Sequence, residues 1–339
     1  MIKKILQISP YTFSHPGWVE QYARILQELF PNQMTTLSWG WDFPIVEPIH
    51  HCPLPCFWRR GFWDIFTQVS QENTSIIVSH IRFAPTAWLA FCIAKRKRIP
   101  YIHIEHGTGF LIHKNPIIAW GARIIDLTIG KYILRHAAKV VCISQAGKTW
   151  VSEAFGREEV VVIYRGFECP KLERNKNEVS KIGFVGRLTW LKNIDGLIHI
   201  LKEIASESWS CEIVWDGEEK EYLKKLSQDA WLTERIHFLG AKPHKWIIQE
   251  FYPTVDIFVN PSLQEWLPTT VIEALGMGCQ VIATDVGGTR EIDNIILISG
   301  EQLSGLKEEL LSRLHQWNES IIVSTQFSLR NMQLWYTSI

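Results

Sequence analysis

The sequence has no long apolar run, no excess of charge of one sign and no acidic metal-binding pair. No uncharged apolar stretch reaches the roughly 18 residues that a membrane-spanning helix needs, so we expect none. The 35 basic residues balance the 35 acidic ones, which excludes a strongly basic nucleic-acid-binding chain. An Asp-x-Asp pair, which would hold a metal ion on a diphosphate, is missing. The composition is that of a soluble globular protein with no expected cofactor or metal.

Cysteine pairing is also lacking. The 7 cysteines are scattered and odd in number, which predicts reduced thiols in a cytoplasmic chain. The stretch HHCPLPC (50–56) brings histidine and cysteine together, but no second ligand pair follows at zinc-ribbon spacing, so a loop is favoured over a metal site. The opening MIKKILQISPYTF has no long apolar core and is interpreted as a first strand, not a signal peptide.

Short β-rich runs alternate with amphipathic helices, which is typical of a parallel α/β protein. The predicted strands of the first half are 3–9, 75–80, 101–107, 139–144 and 160–166, with a helix over 18–30. Those of the second half are 181–188, 211–217, 236–241, 255–262 and 280–288, with helices from about 195, through 226, from 268 and over about 304–316.

The polar, charged segment 168–181 separates the two halves and predicts a linker. We therefore expect a Rossmann-like domain at 1–170 and a second at 171–318. The tail 319–339 is expected to be helical and to pack back on the first domain. Two such domains would face each other across a cleft, because open α/β sheets bind ligands at the carboxyl ends of their strands.

The segment SLQEWLPTTVIEALGMG (262–278) places Glu265 and Glu273 on either side of a predicted helix start at Pro268. Proline suits the first helical turn, since its missing N–H needs no partner there. The free N–H groups of that turn would receive an anion. Eight helical residues span about 12 Å, so the two carboxylates could lie along an extended ligand.

Two cations, Arg187 and Lys192, follow another predicted strand in VGRLTWLKN, next to Gly186. Glycine lets a ligand approach the backbone, and the Gly-Gly turn in VGGTREI (286–292) adds further N–H groups. Such cations would hold a diphosphate and stabilise a leaving group electrostatically. Each charge alone is more often solvated, but the clustering at strand ends favours a site.

Together, GRLTWLKN, NPSLQEWLPTTVIEALGMG and VIATDVGGTREI resemble the retaining GT-B glycosyltransferases of glycosyltransferase family 4, whose mark is the E-x7-E pair, here Glu265 and Glu273. In the first half the resemblance rests on PGWVEQ, IVSHIRFAP (77–85), EHG (105–107) and VVIYRGFE (161–168). Each motif alone is weak. Their order and spacing make the resemblance specific.

The resemblance implies a GT-B fold and a metal-independent, retaining transferase acting in cell-surface polysaccharide or glycolipid assembly. Arg187 and Lys192 would hold the diphosphate of a nucleotide-sugar donor, Glu265 would contact its sugar or phosphate side, and Glu273 its ribose. His106 would lie by the reacting centre, toward a glycan or lipid-linked acceptor. The implied catalytic residues are His106, Arg187, Lys192 and Glu265. The implied donor-binding residues are Gly17, Gly186, Arg187, Lys192, Glu265, Leu267, Pro268, Thr269 and Glu273.

Two basic segments are relevant to whether the protein contacts a membrane. CFWRRGFWDIF (56–66) interleaves aromatic and arginine residues, and AKRKR (94–98) is a basic run. They would contact an anionic membrane surface at the inner face of the membrane. A solvated basic face on a cytoplasmic protein is the alternative, and it is slightly favoured. No nucleic-acid partner is expected.

The chain departs from the family pattern at Trp18, Trp215 and Trp266, where glycine is expected, and at Arg165, where asparagine is common. The sequence has 16 tryptophans beside 21 glycines. A bulky side chain at such turns removes the positive φ and the close approach that glycine permits. Three interpretations stay open: the protein is a non-catalytic nucleotide-sugar-binding relative, the indoles point outward, or these codons are UGA triplets decoded as glycine.

Peptide mass spectrometry across residues 262–278 decides the third interpretation. If UGA is decoded as glycine, the peptide carries the mass of glycine at position 266. A tryptophan mass at that position excludes recoding there and leaves the first two interpretations.

Overall fold

The computed structural model describes residues 4–10, 18–38, 50–51, 73–82, 84–113, 115–168, 170, 177–300, 303–314 and 327–338. The chain divides into a first unit, Met1–Tyr164 with Trp335–Ile339, and a second unit, Arg165–Leu334. The end of the C-terminal helix belongs to the first unit, where the Tyr336 hydroxyl lies 2.8 Å from that of Tyr22. Half of the linker predicted at 168–181, namely 169 and 171–176, lies outside the described residues.

The described part of the first unit holds a seven-stranded parallel sheet in the order β3-β2-β1-β4-β5-β6-β7. Its strands are β1 Ile5–Ser9, β2 Met34–Ser38, β3 His50–His51, β4 Ile76–His80, β5 Tyr101–Glu105, β6 Lys139–Cys142 and β7 Val160–Val162. Its helices are Trp18–Leu29, Ala84–Lys97, Pro116–Ile125, Lys131–His136 and Gln145–Phe155, with a π turn at Asp126–Gly130.

The described part of the second unit holds a six-stranded parallel sheet in the order β10-β9-β8-β11-β12-β13. Its strands are β8 Ser180–Val185, β9 Trp209–Val214, β10 Ile236–Gly240, β11 Ile257–Asn260, β12 Gln280–Thr284 and β13 Ile296–Ile298. Its helices include Ile194–Glu203, Lys220–Asp229, Thr269–Gly276 and Leu306–Arg313, and the C-terminal helix Leu329–Ser338 begins in this unit and ends in the first.

Each sheet reverses its strand order once, between β1 and β4 in the first unit and between β8 and β11 in the second. The central strands read as nearly continuous apolar runs because helices cover both faces of a parallel sheet. β5 and β12 are buried along their whole length. The loops that leave the carboxyl ends next to each reversal are where such sheets bind ligands.

Among the described residues, tryptophan occupies two positions where φ is positive. Trp215 has φ 117° and Trp231 has φ 61°, whereas Trp266 does not share this conformation. Trp231 follows the helix Lys220–Asp229, and its neighbour Leu232 donates back to Ser227 O at 2.9 Å. This is the helix-ending position that favours glycine. The indole is 91% exposed, so burial does not offset the strain.

We expect Trp231→Gly to raise the free energy of unfolding by about 1 kcal/mol, because glycine adopts left-handed φ without a Cβ clash. Urea denaturation measures the change. Trp231→Ala is the matched control, since it removes the same indole but keeps the Cβ, and should gain little. Equal stabilisation by both variants would show that backbone strain is not the cause.

Candidate active-site residues

In the second unit two backbone hydrogen bonds join the loops after β8 and β9, and we name this pair of joined loops the clamp. Leu188 N–H donates to Asp216 O at 3.0 Å, and Gly186 N–H donates to Val214 O at 3.2 Å. A Cβ on Gly217 would lie 2.2 Å from Leu188 O, so only glycine fits there. The clamp presents the exposed Arg187 at the carboxyl end of the sheet.

Trp215 begins the same clamped loop. Its N–H donates to Gly240 O at 2.9 Å, which holds the backbone at φ 117°. A tryptophan in that conformation is strained on the order of 1–3 kcal/mol. Of the three tryptophans that depart from the family pattern, Trp215 thus stands where the backbone requires glycine, while the side chain of Trp18 lies outside the described residues.

Lys192 and Glu265, which the sequence places 73 residues apart, form an ion pair with Nζ 2.5 Å from Oε1. The same carboxylate oxygen accepts from Ser262 Oγ at 2.7 Å and from Asn260 Nδ2 at 3.2 Å. Both charged side chains are mostly buried. Lys192 therefore faces a carboxylate here, and a diphosphate would have to share or displace that partner.

The helix Thr269–Gly276 begins directly after Pro268, whose carbonyl accepts from Val271 N–H at 3.1 Å. Leu267 is buried beside this start, and the buried Thr269 hydroxyl has no hydrogen-bond partner among the residues that the structure describes. A buried hydroxyl without a partner is costly unless a ligand completes it. The first turn therefore offers both backbone N–H groups and a hydroxyl.

The Gly-Gly turn lies against the same loop, as the sequence predicts. Gly288 N–H donates to Trp266 O at 2.9 Å, and Gly287 has φ 55°. The clamp, the ion pair, the helix start and this turn all belong to the second unit.

Glu273 is buried and bound by two side chains for which the sequence carries no motif. His244 Nε2 lies 3.0 Å from Oε1, and the Tyr252 hydroxyl donates to Oε2 at 3.2 Å. Burial and then Glu273 itself raise the pKa of Tyr252 well above its usual value, so this hydroxyl stays a donor. A ribose hydroxyl at Glu273 would join an already occupied carboxylate.

In the first unit His106 follows β5 and is buried. Its Nε2 lies 3.1 Å from Nδ1 of His80, the last residue of β4. His80 Nε2 in turn lies 2.8 Å from Gln7 Oε1 on β1. The loop that holds Gly17 lies outside the described residues.

The direction of these bonds follows from a backbone carbonyl. Gln7 Nε2 donates to Ala23 O at 2.9 Å, so Gln7 Oε1 must accept from His80 Nε2–H. Burial, then His106 and His103, lowers the pKa of His80, which is therefore neutral with an unprotonated Nδ1. His106 donates its Nε2–H to that nitrogen, and its own Nδ1 carries a lone pair when the ring is neutral.

Gln7 is itself held from behind by further side chains. Its Nε2 also donates to Thr36 Oγ1 at 2.9 Å, and Thr36 donates to Gln27 Oε1 at 2.7 Å. Gln27 Nε2 closes the series on Met34 O at 2.6 Å. Two backbone carbonyls thus determine the direction of every hydrogen bond in this series of side chains. We name the series the histidine relay (Gln27, Thr36, Gln7, His80 and His106).

Glu105, which precedes His106, has a structural role outside the histidine relay. Arg82 lies 2.9 Å from its carboxylate, and Gly107 N–H donates to it at 2.7 Å. Burial alone would raise the pKa of Glu105, but Arg82, followed by His103 and Gly107, lowers it to about 2. The EHG segment is thereby turned directly after β5.

We expect nitrogen-15 NMR of the histidine rings to show a protonated Nε2 and an unprotonated Nδ1 in His80, because Gln7 accepts from its Nε2–H and His106 donates to its Nδ1. Gln7→Leu removes the acceptor that sets the tautomer and should introduce Nδ1–H signal at His80. His237, on the edge strand β10 of the second unit, is the internal control and should not change. Nδ1–H as the main wild-type form of His80 would contradict the relay.

Two family models match the chain, one to each half. "Glycosyltransferase Family 4" matches residues 33–169, and "Glycosyl transferases group 1" matches residues 179–316. An uncharacterized glycosyltransferase of Methanocaldococcus jannaschii is 29% identical over 267 residues, which cover 74% of this chain and 67% of that protein. The Escherichia coli O-antigen biosynthesis glycosyltransferase WbnH is 28% identical, over 70% and 68% of the two chains.

The fold has a close counterpart among solved structures. Anabaena HepE in complex with UDP and glucose superposes with a TM-score of 0.81 at 17% identity, covering 99% of this chain and 98% of that one. Some other curated relatives are matched over only about half of their length, 46% in one case and 55% in another. The two α/β units are those of the GT-B fold, and the chain belongs to the family 4 and group 1 glycosyltransferases.

Proposed function

We propose that the protein is a retaining, metal-independent glycosyltransferase that moves a sugar from a nucleotide-sugar donor to a glycan or lipid-linked acceptor in polysaccharide or glycolipid assembly. The observation that carries this proposal is the Lys192–Glu265 ion pair, which joins the loop that follows Arg187 to the loop that precedes the helix Thr269–Gly276. The names of WbnH and of the HepE complexes, O-antigen biosynthesis and bound UDP-glucose, support it.

The donor would bind in the second unit. Its diphosphate meets Arg187 and Lys192 as cations, and the Thr269 hydroxyl and first-turn N–H groups as donors. Charge that develops on the leaving diphosphate is stabilised by these prearranged groups. Glu265 holds Lys192 in place until the ligand arrives and then turns toward the sugar or phosphate side, while Glu273 accepts from the ribose.

The transfer step needs one bond made and one broken. The acceptor oxygen bonds to the anomeric carbon on the face that the diphosphate leaves, the bond from that carbon to the phosphate oxygen breaks, and the acceptor proton passes to the departing phosphate. His106, oriented by the histidine relay, serves the acceptor side. The membrane contact proposed through 94–98 involves the end of the helix Ala84–Lys97, whereas 56–66 lies outside the described residues.

One observation favours a second candidate. Trp215, at φ 117° in the clamped loop beside Arg187, is strained where the backbone favours glycine. A donor site altered there, together with Trp18 and Trp266, would bind a nucleotide sugar without transferring it. Calorimetric binding of UDP-sugars without release of UDP, by the chain as written, would support this candidate over the enzyme.

We expect Lys192→Ala and Glu265→Ala each to abolish turnover, because each leaves the other charge buried and unpaired and removes a group from the donor site. Release of nucleoside diphosphate from a panel of nucleotide sugars, with and without acceptor glycans, measures it. Lys307→Ala is the matched control, since it breaks a more exposed pair with Glu203 and should keep full activity. Full activity in either site variant would refute the assignment.

A further inference from the structure

The helix Pro116–Ile125 of the first unit exposes an apolar surface along its whole length. None of its ten residues is buried. Ile117 is 76% exposed, Ile118 48%, Ile124 41% and Ile125 43%. Large contiguous apolar patches are rare on monomeric soluble proteins and mark interaction surfaces.

The helix is well formed despite this exposure. Asn115 caps it by accepting from Ile117 N–H at 2.9 Å, and Pro116 occupies the first turn. It continues through the π turn Asp126–Gly130, where Leu127 and Ile129 are also exposed. The surface is therefore present before any partner binds, so binding costs little ordering entropy. We name this surface, Pro116–Ile129, the apolar helix face.

The charge around the apolar helix face has one sign. Between residues 111 and 136 the sequence holds four lysines and arginines and a single acid, Asp126. That acid pairs with the buried Arg82 at 3.2 Å, so it does not offset the exposed basic residues. Arg123 lies on the helix itself, with its guanidinium 4.6 Å from the ring of Phe110.

A second basic group adjoins the same surface. The half-exposed Tyr132 follows the π turn and packs against Phe91 at 5.6 Å between ring centroids. Lys95 Nζ lies 5.4 Å from that Phe91 ring, at the head of the basic run 95–98. Exposed apolar and basic side chains thus lie side by side on one part of the first unit.

This combination of exposed apolar and basic side chains distinguishes between two possible partners of the apolar helix face, a second copy of the chain and a lipid surface. A second copy packed symmetrically on the same face would bring Arg123 and Lys131 of both copies together, and like charges repel. An anionic lipid surface would receive the isoleucines among its acyl chains and neutralise the surrounding cations. We propose that the apolar helix face docks the first unit on an anionic lipid bilayer. The proposal does not depend on the transferase assignment.

Vesicle co-sedimentation of the full chain tests it. We expect binding to vesicles of equal parts phosphatidylcholine and phosphatidylglycerol, and much weaker binding to phosphatidylcholine alone. Raising the salt from about 0.1 M to about 1 M should weaken binding, because the screening length falls from about 10 to about 3 Å. Ile117→Ser/Ile124→Ser should lower the bound fraction at least about tenfold, since two apolar anchors on one helix face are lost.

The matched control is Tyr222→Ser/Leu311→Ser, which removes two exposed apolar side chains from the second unit without changing charge. It should bind as the wild type does. Equal binding by the Ile117/Ile124 variant and the wild type would overturn the proposal, as would equal binding to neutral vesicles. A wild-type dimer that binds no vesicles, and that the same isoleucine variant dissociates, would overturn it in favour of an interface between copies.

Discussion

The candidate site depends on one constraint, which is that the strands within each sheet run parallel to one another. All strands of a parallel sheet end at the same edge, so residues far apart in sequence are delivered to one place. Lys192 lies in the segment that follows β8, and Glu265 lies in the loop that follows β11. The strands β8 and β11 pair directly with each other. Their ion pair follows from that adjacency and not from their separation of 73 residues.

Buried polar groups in both units are held by partners whose own orientation is determined. In the first unit, two backbone carbonyls set the direction of every bond in the histidine relay, and Arg82 keeps Glu105 ionised. In the second, Glu265 takes three donors on one oxygen. Such fully engaged groups avoid the cost of unpaired burial and hold side chains in the geometry that a ligand requires. The buried hydroxyls of Ser9, Thr269 and Thr289 differ in having no hydrogen-bond partner among the described residues, and that of Thr269 lies at the helix start of the candidate site.

Periodicity predicted much of the fold. Every strand named from the sequence overlaps an observed one, usually with a shorter end, because a predicted run such as YIHIEHG continues into the loop that Glu105 turns. Three strands were missed, β2, β13 and β3, whose His50–His51 lie in the stretch interpreted as a loop, and so were the helices Ala84–Lys97, Lys131–His136, Gln145–Phe155 and Pro116–Ile125. Short strands carry little signal, and the unburied apolar residues of that helix do not follow the pattern of a core-facing one. The positive φ of Trp231 was also missed, although the place of glycine at Trp215 was predicted from the family pattern.

The sequence by itself determined the fold class, the two α/β halves and the family. These depend on local periodicity and on the order of motifs, both of which can be read directly along the chain. It also singled out Glu265, Glu273, Arg187 and Lys192. Only the tertiary structure decided that Lys192 pairs with Glu265, that Tyr252 and His244 hold Glu273, and which nitrogen of His106 is protonated. Those are contacts between distant segments, and their geometry depends on strand order and register, which no local pattern encodes.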